Sequence, residues 1–165
     1  MKKQTVLTGF LLSCLLAVHA AAGGTKAGDI DIEQPNARAM VPGAKVGGGY
    51  LTLTNTGSTD DKLIGINSDR ANSAEIHEMS VKNGIMTMRS VAGGLSIPAG
   101  QTVELKPGGY HIMFMDVAQP FKQGESIKAT LTFEKAGSVD VDFTVGGASG
   151  GMKGSQPQMD MSKPQ

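Results

Sequence analysis

Cysteine, tryptophan and histidine are scarce in this sequence, and their scarcity restricts the chemistry the protein can perform. The 165 residues include one cysteine, no tryptophan and three histidines. Fifteen basic residues balance fifteen acidic ones, so there is no charge excess of the kind that binds nucleic acid or an anionic membrane. We find no Ser-His-Asp set and no nucleotide-binding glycine loop, and the sequence therefore gives no support for an enzyme.

The N-terminus has the layout of a secretory signal peptide. Met1-Lys2-Lys3 supplies a positive start, an apolar run extends from Val6 to Val18, and Ala20-Ala21-Ala22 supplies small residues for cleavage. The run is too short for a stable membrane span. We therefore predict a signal peptide over residues 1–22 and a periplasmic location. Lipoprotein processing at Cys14 is the less favoured alternative, because much apolar sequence follows that cysteine.

Cleavage after the alanines would remove Cys14, the single cysteine of the chain. A chain without thiols forms no disulfides, no thiolate metal site and no thiolate nucleophile. It also cannot form the blue-copper centre of an electron-transfer cupredoxin, since such a centre needs a cysteine thiolate beside its histidines.

Short runs of β-branched and apolar residues, separated by glycine and proline, indicate strands and not helices. About nine such runs follow one another at regular spacing, without an internal repeat. They lie at Asp29–Glu33, Gly49–Asn55, Lys62–Asn67, Ser73–Met79, Ile85–Arg89, Thr102–Leu105, Tyr110–Met115, Ser126–Glu134 and Val139–Val145. We predict one all-β domain over residues 23–145, built as a Greek-key β-sandwich or barrel.

Three segments are predicted to lack regular structure. Residues 23–28 form a leader of small residues, and residues 34–44 contain two prolines and indicate a loop. Residues 146–165 are too poor in apolar side chains to form a core, so we predict a flexible tail. Its methionines, Met152, Met159 and Met161, favour weak secondary metal capture over an inert linker.

Both histidines of the predicted mature domain lie two residues before a methionine. His77-Glu78-Met79 lies in one predicted strand and His111-Ile112-Met113 in another. Side chains two apart in a strand share one face of the sheet. Lys82-Asn83-Gly84 predicts a tight turn that folds the first of these strands against the strand carrying Met86 and Met88.

These histidines and methionines form a candidate site for a soft metal ion. Thioether sulfur is soft and uncharged, so it favours Cu(I) over Zn(II), Ca(II) and Mg(II), and imidazole also binds copper. The candidate ligands are His77, Met79, Met86, Met88, His111, Met113 and Met115. We predict one Cu(I) per domain, with Met115 more suited to filling the core.

Glu78 alternates away from His77, so no carboxylate is expected at this cluster. The alternative to a metal site is a metal-free β-sandwich binding module whose methionines form an apolar patch.

Four stretches of the sequence together resemble the periplasmic copper chaperones of the PCuAC type. They are His77-Glu78-Met79, Gly84–Arg89, Ile97–Gly100 and Leu105–Met113. The similarity continues through Pro120 to Phe133, reaches back to the strand at Tyr50–Asn55, and so covers most of the predicted domain. The resemblance implies a cupredoxin-like fold with Cu(I) bound near the surface by two histidines and two methionines.

By position, the resemblance implies that His77, Met88, His111 and Met113 are the copper ligands. Met86 remains an alternative to Met88, since both lie on one face of their strand. Auxiliary candidates are Met79, Met86 and the tail methionines Met152, Met159 and Met161. The family likeness also implies delivery of copper toward cytochrome c oxidase, with its copper subunit and a thiol-bearing transfer protein as partners. A role in copper storage or tolerance is the alternative.

Overall fold

The computed structural model describes residues 24–147, a part of the chain that consists of strands, turns and loops. Among these residues no helix is long and apolar enough to span a membrane. The predicted signal peptide lies outside the described residues, as does the predicted tail apart from Gly146 and Gly147. The all-β prediction is confirmed.

Eleven strands occur in the described part of the chain. They are β1 (Thr25–Ala27), β2 (Ile30–Arg38), β3 (Gly47–Asn55), β4 (Asp61–Asn67), β5 (Ser73–Lys82), β6 (Ile85–Ser90), β7 (Leu95–Ile97), β8 (Thr102–Leu105), β9 (Tyr110–Met115), β10 (Ser126–Phe133) and β11 (Gly137–Gly146).

Eight of these strands close into a barrel. Around the ring they follow the order β5, β9, β8, β3, β2, β11, β10 and β4, and β4 returns to β5 by pairing Ile66 with Ala74. The pairs β11–β2 and β8–β9 are parallel, and the other neighbours are antiparallel. Strands β1, β6 and β7 lie outside the ring, on β2, β5 and β4 respectively. This arrangement leaves β6 as an edge strand whose residues are all exposed.

Phenylalanine rings fill the centre of the barrel. Phe114 of β9 makes edge-to-face contacts with Phe121 and Phe143, with ring centres 5.6 and 6.0 Å apart. Glycines in β3 provide the space: a Cβ on Gly49 would lie 2.8 Å from the Phe114 ring, and one on Gly47 would lie 2.6 Å from the Phe121 ring. This packing determines which face of β9 points into the barrel.

The strand count exceeds the prediction, and one predicted loop is partly wrong. Strand β1 occurs in the small-residue leader, where Ala27 is buried, and β7 occupies a three-residue run too short to show alternation. Strand β2 continues through Pro35 into the expected loop. A positive φ of 50° at Gln34 and a register shift between Glu33 and Asn36 form a bulge there, and a bulge tolerates proline.

Asp61 joins the start of β4 to the turn between β10 and β11. Its buried carboxylate accepts hydrogen bonds from the backbone N–H groups of Lys62 (2.7 Å), Lys135 (2.9 Å) and Ala136 (2.9 Å). Burial alone would raise the pKa of Asp61, but these three hydrogen bonds and the charge of Lys135 together hold that pKa below its ordinary value.

The substitution Asp61→Asn should lower the free energy of unfolding by about 2 kcal/mol near neutral pH, since an amide cannot satisfy all three donors. The folded pKa of Asp61 is depressed, so its stabilising contribution is present above the unfolded pKa and is lost as pH falls through the folded pKa. Urea unfolding should therefore show a difference in the free energy of unfolding between wild type and variant that becomes smaller in acid. The exposed Asp142 provides the control substitution, and a gap of equal size at all pH values would contradict the assignment.

Candidate metal centre

Strands β5 and β9 pair in a register that sets His77 directly opposite His111. On the inner face of the same two strands, Ile76 lies opposite Ile112, and both isoleucines are buried. Because side chains alternate along a strand, the two histidines share the outer face of the barrel.

The two imidazole rings lie close enough to bind one ion. Their centres are 6.1 Å apart and their planes are tilted by 49°. Imidazole nitrogen binds metal ions at about 2.0–2.1 Å, so two rings on one ion have centres at most roughly 6–6.5 Å apart. The observed separation is within that limit and leaves room for the rings to draw closer.

The register also places methionines on both sides of His77. Met113 of β9 lies opposite Glu75, and Met88 of β6 lies opposite Met79, so both are diagonal neighbours of His77. Diagonal neighbours on one face are about 7–8 Å apart in their backbones, within reach of long side chains. Met79 lies next to this set, since it follows His77 on the same face.

We call the surface formed by His77, His111, Met79, Met88 and Met113 the patch. The other two methionines of the described strands lie at its ends. Met86 lies opposite Val81, two residues farther along β6 from the histidines, and is 65% exposed against 48% for Met88. Met115 lies opposite Ser73 and is only half-buried, so the prediction that it fills the core is wrong. Phe114, the preceding residue, occupies the core instead. The candidates Met152, Met159 and Met161 lie outside the described residues.

His111 is held in a defined orientation. It is only 7% exposed, and its Nδ1 donates a hydrogen bond to the carbonyl of Gly109 at 3.0 Å. The same carbonyl accepts the backbone N–H of Met79 at 3.0 Å. A carbonyl can only accept, so the neutral ring carries its proton on Nδ1 and keeps a free lone pair on Nε2.

The hairpin between β5 and β6 carries one side of the patch. Asn83 and Gly84 adopt positive φ angles of 52° and 76°, as expected for the predicted two-residue turn. On the face away from the histidines, Arg89 donates to Glu78 at 3.0 and 3.1 Å, so Glu78 points away from His77 as predicted. This cross-strand pair helps to maintain the register of β6.

A carboxylate does reach the cluster, contrary to the expectation from sequence. Oε2 of Glu75 lies 3.3 Å from Nε2 of His77. The sequence carries a signal for this contact, because Glu75 precedes His77 by two residues and must share its face. Within residues 24–147, no three His, Cys, Asp or Glu side chains cluster so that they could hold a metal ion.

A cupredoxin-like barrel with histidines and methionines on its outer face defines the class of this protein. Residues 30–145 match the family described as LpqE-like, putative lipoprotein LpqE-like. The chain belongs to this family, which is the family of the PCuAC domains.

A curated relative and two solved structures illustrate the similarity. The chain is 34% identical over 153 residues to the putative lipoprotein Lxx21020 of Leifsonia xyli subsp. xyli, covering 90% of this chain and 91% of the relative. The copper-bound PCuAC domain from PmoF2 is 28% identical with a TM-score of 0.64, covering 74% and 97% of the two chains. The solution structure of Cu(I)-DR1885 from Deinococcus radiodurans is 29% identical with a TM-score of 0.57, covering 79% and 85%.

Proposed function

We propose that this protein is a periplasmic copper chaperone in which His77, Met88, His111 and Met113 bind one Cu(I). The observation that carries the proposal is the direct opposition of His77 and His111, with ring centres 6.1 Å apart. The methionines diagonal to His77 supply soft sulfur beside these imidazoles. Two relatives with the same fold, the PmoF2 domain and DR1885, were solved with copper bound, and this likeness supports the choice of metal.

The donor set suits Cu(I) better than a harder ion. Two thioethers and two neutral imidazoles bring no negative charge, and soft sulfur favours Cu(I) over Zn(II) or Mg(II). His111 has its Nε2 lone pair available, because Nδ1 is held by Gly109. The neighbouring Met79 is an auxiliary sulfur, while Met86, Met152, Met159 and Met161 are candidates for weaker additional copper binding.

The exposure of the ligands suggests how copper is released. Met88 lies on an exposed edge strand, whereas His111 is almost entirely buried. An incoming thiolate binds Cu(I) more strongly than an uncharged thioether does. We therefore expect an acceptor to displace Met88 first and His111 last, by exchange of ligands and without a redox step.

The setting follows from the leader sequence and the family likeness. A signal peptide over residues 1–22 would deliver the domain to the periplasm. Because one relative is named a putative lipoprotein, lipoprotein processing at Cys14 is the alternative. We propose delivery toward the copper subunit of cytochrome c oxidase, together with a thiol-bearing transfer protein. A storage or tolerance protein would instead retain Cu(I) when mixed with such an acceptor.

One observation favours a second candidate, a binding module that uses no metal. The hairpin of β5 and β6 exposes Val81 (62%) and Met86 (65%), which lie opposite each other and form an apolar surface of the kind that contacts other proteins. Titration with Cu(I) separates the two functions, because a metal-free module would show no stoichiometric binding.

Titration under reducing conditions should give one tightly bound Cu(I) per protein, measured by competition with a chromophoric Cu(I) chelator. The double substitution His77→Ala and His111→Ala should weaken binding at least about 100-fold, or about 2.7 kcal/mol, because both nitrogen donors are lost. Lys82→Ala, at the exposed end of β5, provides the control. Unit stoichiometry retained at full affinity in the double variant would exclude this site, and an X-ray absorption spectrum without sulfur neighbours would exclude the methionines.

The two methionines of β6 can be separated by a matched pair of substitutions. Met88→Leu should weaken Cu(I) binding about tenfold, or about 1.4 kcal/mol, since it removes the sulfur diagonal to His77 while keeping the side-chain volume. Met86→Leu should leave the Cu(I) affinity nearly unchanged, because Met86 lies farther from His77 along β6 than Met88 does. The same chelator competition measures both, and a larger loss for Met86→Leu would reverse the assignment.

A further inference from the structure

We propose that Glu75 is a positioning residue that keeps the proton of His77 on Nε2 and thereby makes Nδ1 the copper-binding atom. This inference rests on the proposed Cu(I) site and specifies which atom of His77 serves it. It concerns a residue that lies beside the ligand set and is not a ligand in the proposed function.

The contact between the two side chains identifies which nitrogen of His77 donates. Oε2 of Glu75 lies 3.3 Å from Nε2 of His77. An ionised carboxylate can only accept a hydrogen bond, so Nε2 must carry the hydrogen and donate it. A neutral imidazole has a single N–H, and the lone pair of His77 is therefore on Nδ1.

The Nδ1 atom of His77 is buried and lacks a hydrogen-bond partner within the described part of the chain. A buried polar atom left in this state costs about 1–3 kcal/mol, and such atoms call for an explanation. The His77 side chain as a whole is 16% exposed, so the ring is held against the patch and does not extend into solvent. A metal ion bound between the two histidines would use this lone pair.

The two histidines are held in opposite ways. In His111, Nδ1 is occupied by the Gly109 carbonyl and Nε2 is free; in His77, Nε2 is occupied by Glu75 and Nδ1 is free. Each ring thus has one nitrogen that donates to an acceptor of the protein and one nitrogen whose lone pair is available to a metal ion. Metal-binding histidines usually donate their second N–H to a carboxylate or a carbonyl in this manner, which orients the ring and raises its basicity.

Glu75 itself is poorly suited to bind the proposed ion. Carboxylate oxygen is a hard donor that Cu(I) does not prefer. Its side chain is 44% exposed, and it lies directly opposite Met113, at the border of the patch. From this place its negative charge also compensates the positive charge that Cu(I) would bring to a neutral ligand set.

The tautomer of His77 can be measured without copper. Two-bond proton–nitrogen NMR spectra of the labelled metal-free protein, recorded where histidine is neutral, distinguish Nε2–H from Nδ1–H. Wild type should show His77 as Nε2–H and His111 as Nδ1–H. Glu75→Ala should move His77 toward a mixture of tautomers, whereas Glu75→Gln should preserve Nε2–H because its amide oxygen still accepts. Asp142→Ala, an exposed carboxylate on β11, provides the control.

Copper affinity supplies the second measurement. Glu75→Ala should weaken Cu(I) binding by about tenfold or more, in the range seen when a partner of a metal-binding histidine is removed, and Glu75→Gln should restore much of the loss. A wild-type His77 in the Nδ1–H form, or Glu75→Ala with unchanged tautomer and affinity, would overturn the proposal. Absence of Cu(I) binding by wild type would instead refute the proposed function and leave the NMR result to be judged separately.

Discussion

The pairing of β5 with β9 is the constraint on which the site depends. Ile76 and Ile112 face each other inside the barrel, and alternation then places His77 opposite His111 outside it. A shift of one residue between these strands would turn an imidazole into the barrel core and an isoleucine to the outer face, so the core enforces the register of the site. The hydrophobic energy that stabilises the barrel therefore also sets the distance between the two imidazoles.

The architecture joins a firmly held part of the site to an exposed part. His111 lies on a barrel strand anchored by Phe114, and its ring is fixed by the Gly109 carbonyl. Met88 lies on β6, which among the strands of residues 24–147 pairs with β5 alone and is exposed along its whole length. A carrier needs both properties, because an ion must be retained by some ligands while others are accessible to the acceptor.

Much of the patch could be predicted because it depends on short-range rules. The Asn83-Gly84 turn fixes the pairing of β5 with β6, and alternation puts Met86 and Met88 on the face of His77. Alternation also places Glu75 on that face, although the sequence did not show that its carboxylate contacts the ring. The same rule places Met115 on the face of His111 and Met113, so its position at the far end of the strand is a poor reason to expect it in the core.

Other features depend on contacts that no local pattern reports. The extension of β2 through Pro35 requires the bulge at Gln34, which forms only because β3 lies alongside. Strand β1 exists because β2 offers an edge to pair with, not because its own three residues favour a strand. These are cases in which tertiary pairing overrides a weak or contrary local preference.

The sequence by itself determined the residue types that the candidate site offers, namely thioether sulfur and imidazole, with no cysteine in residues 24–147. It also determined which neighbours in one strand share a face, since alternation is a local property of an extended chain. Only the tertiary structure decided that β9 lies beside β5, that Met88 is nearer than Met86, and which ring nitrogen each histidine leaves free. Those distances arise from the packing of residues far apart in the chain, and core packing is a property of the whole barrel.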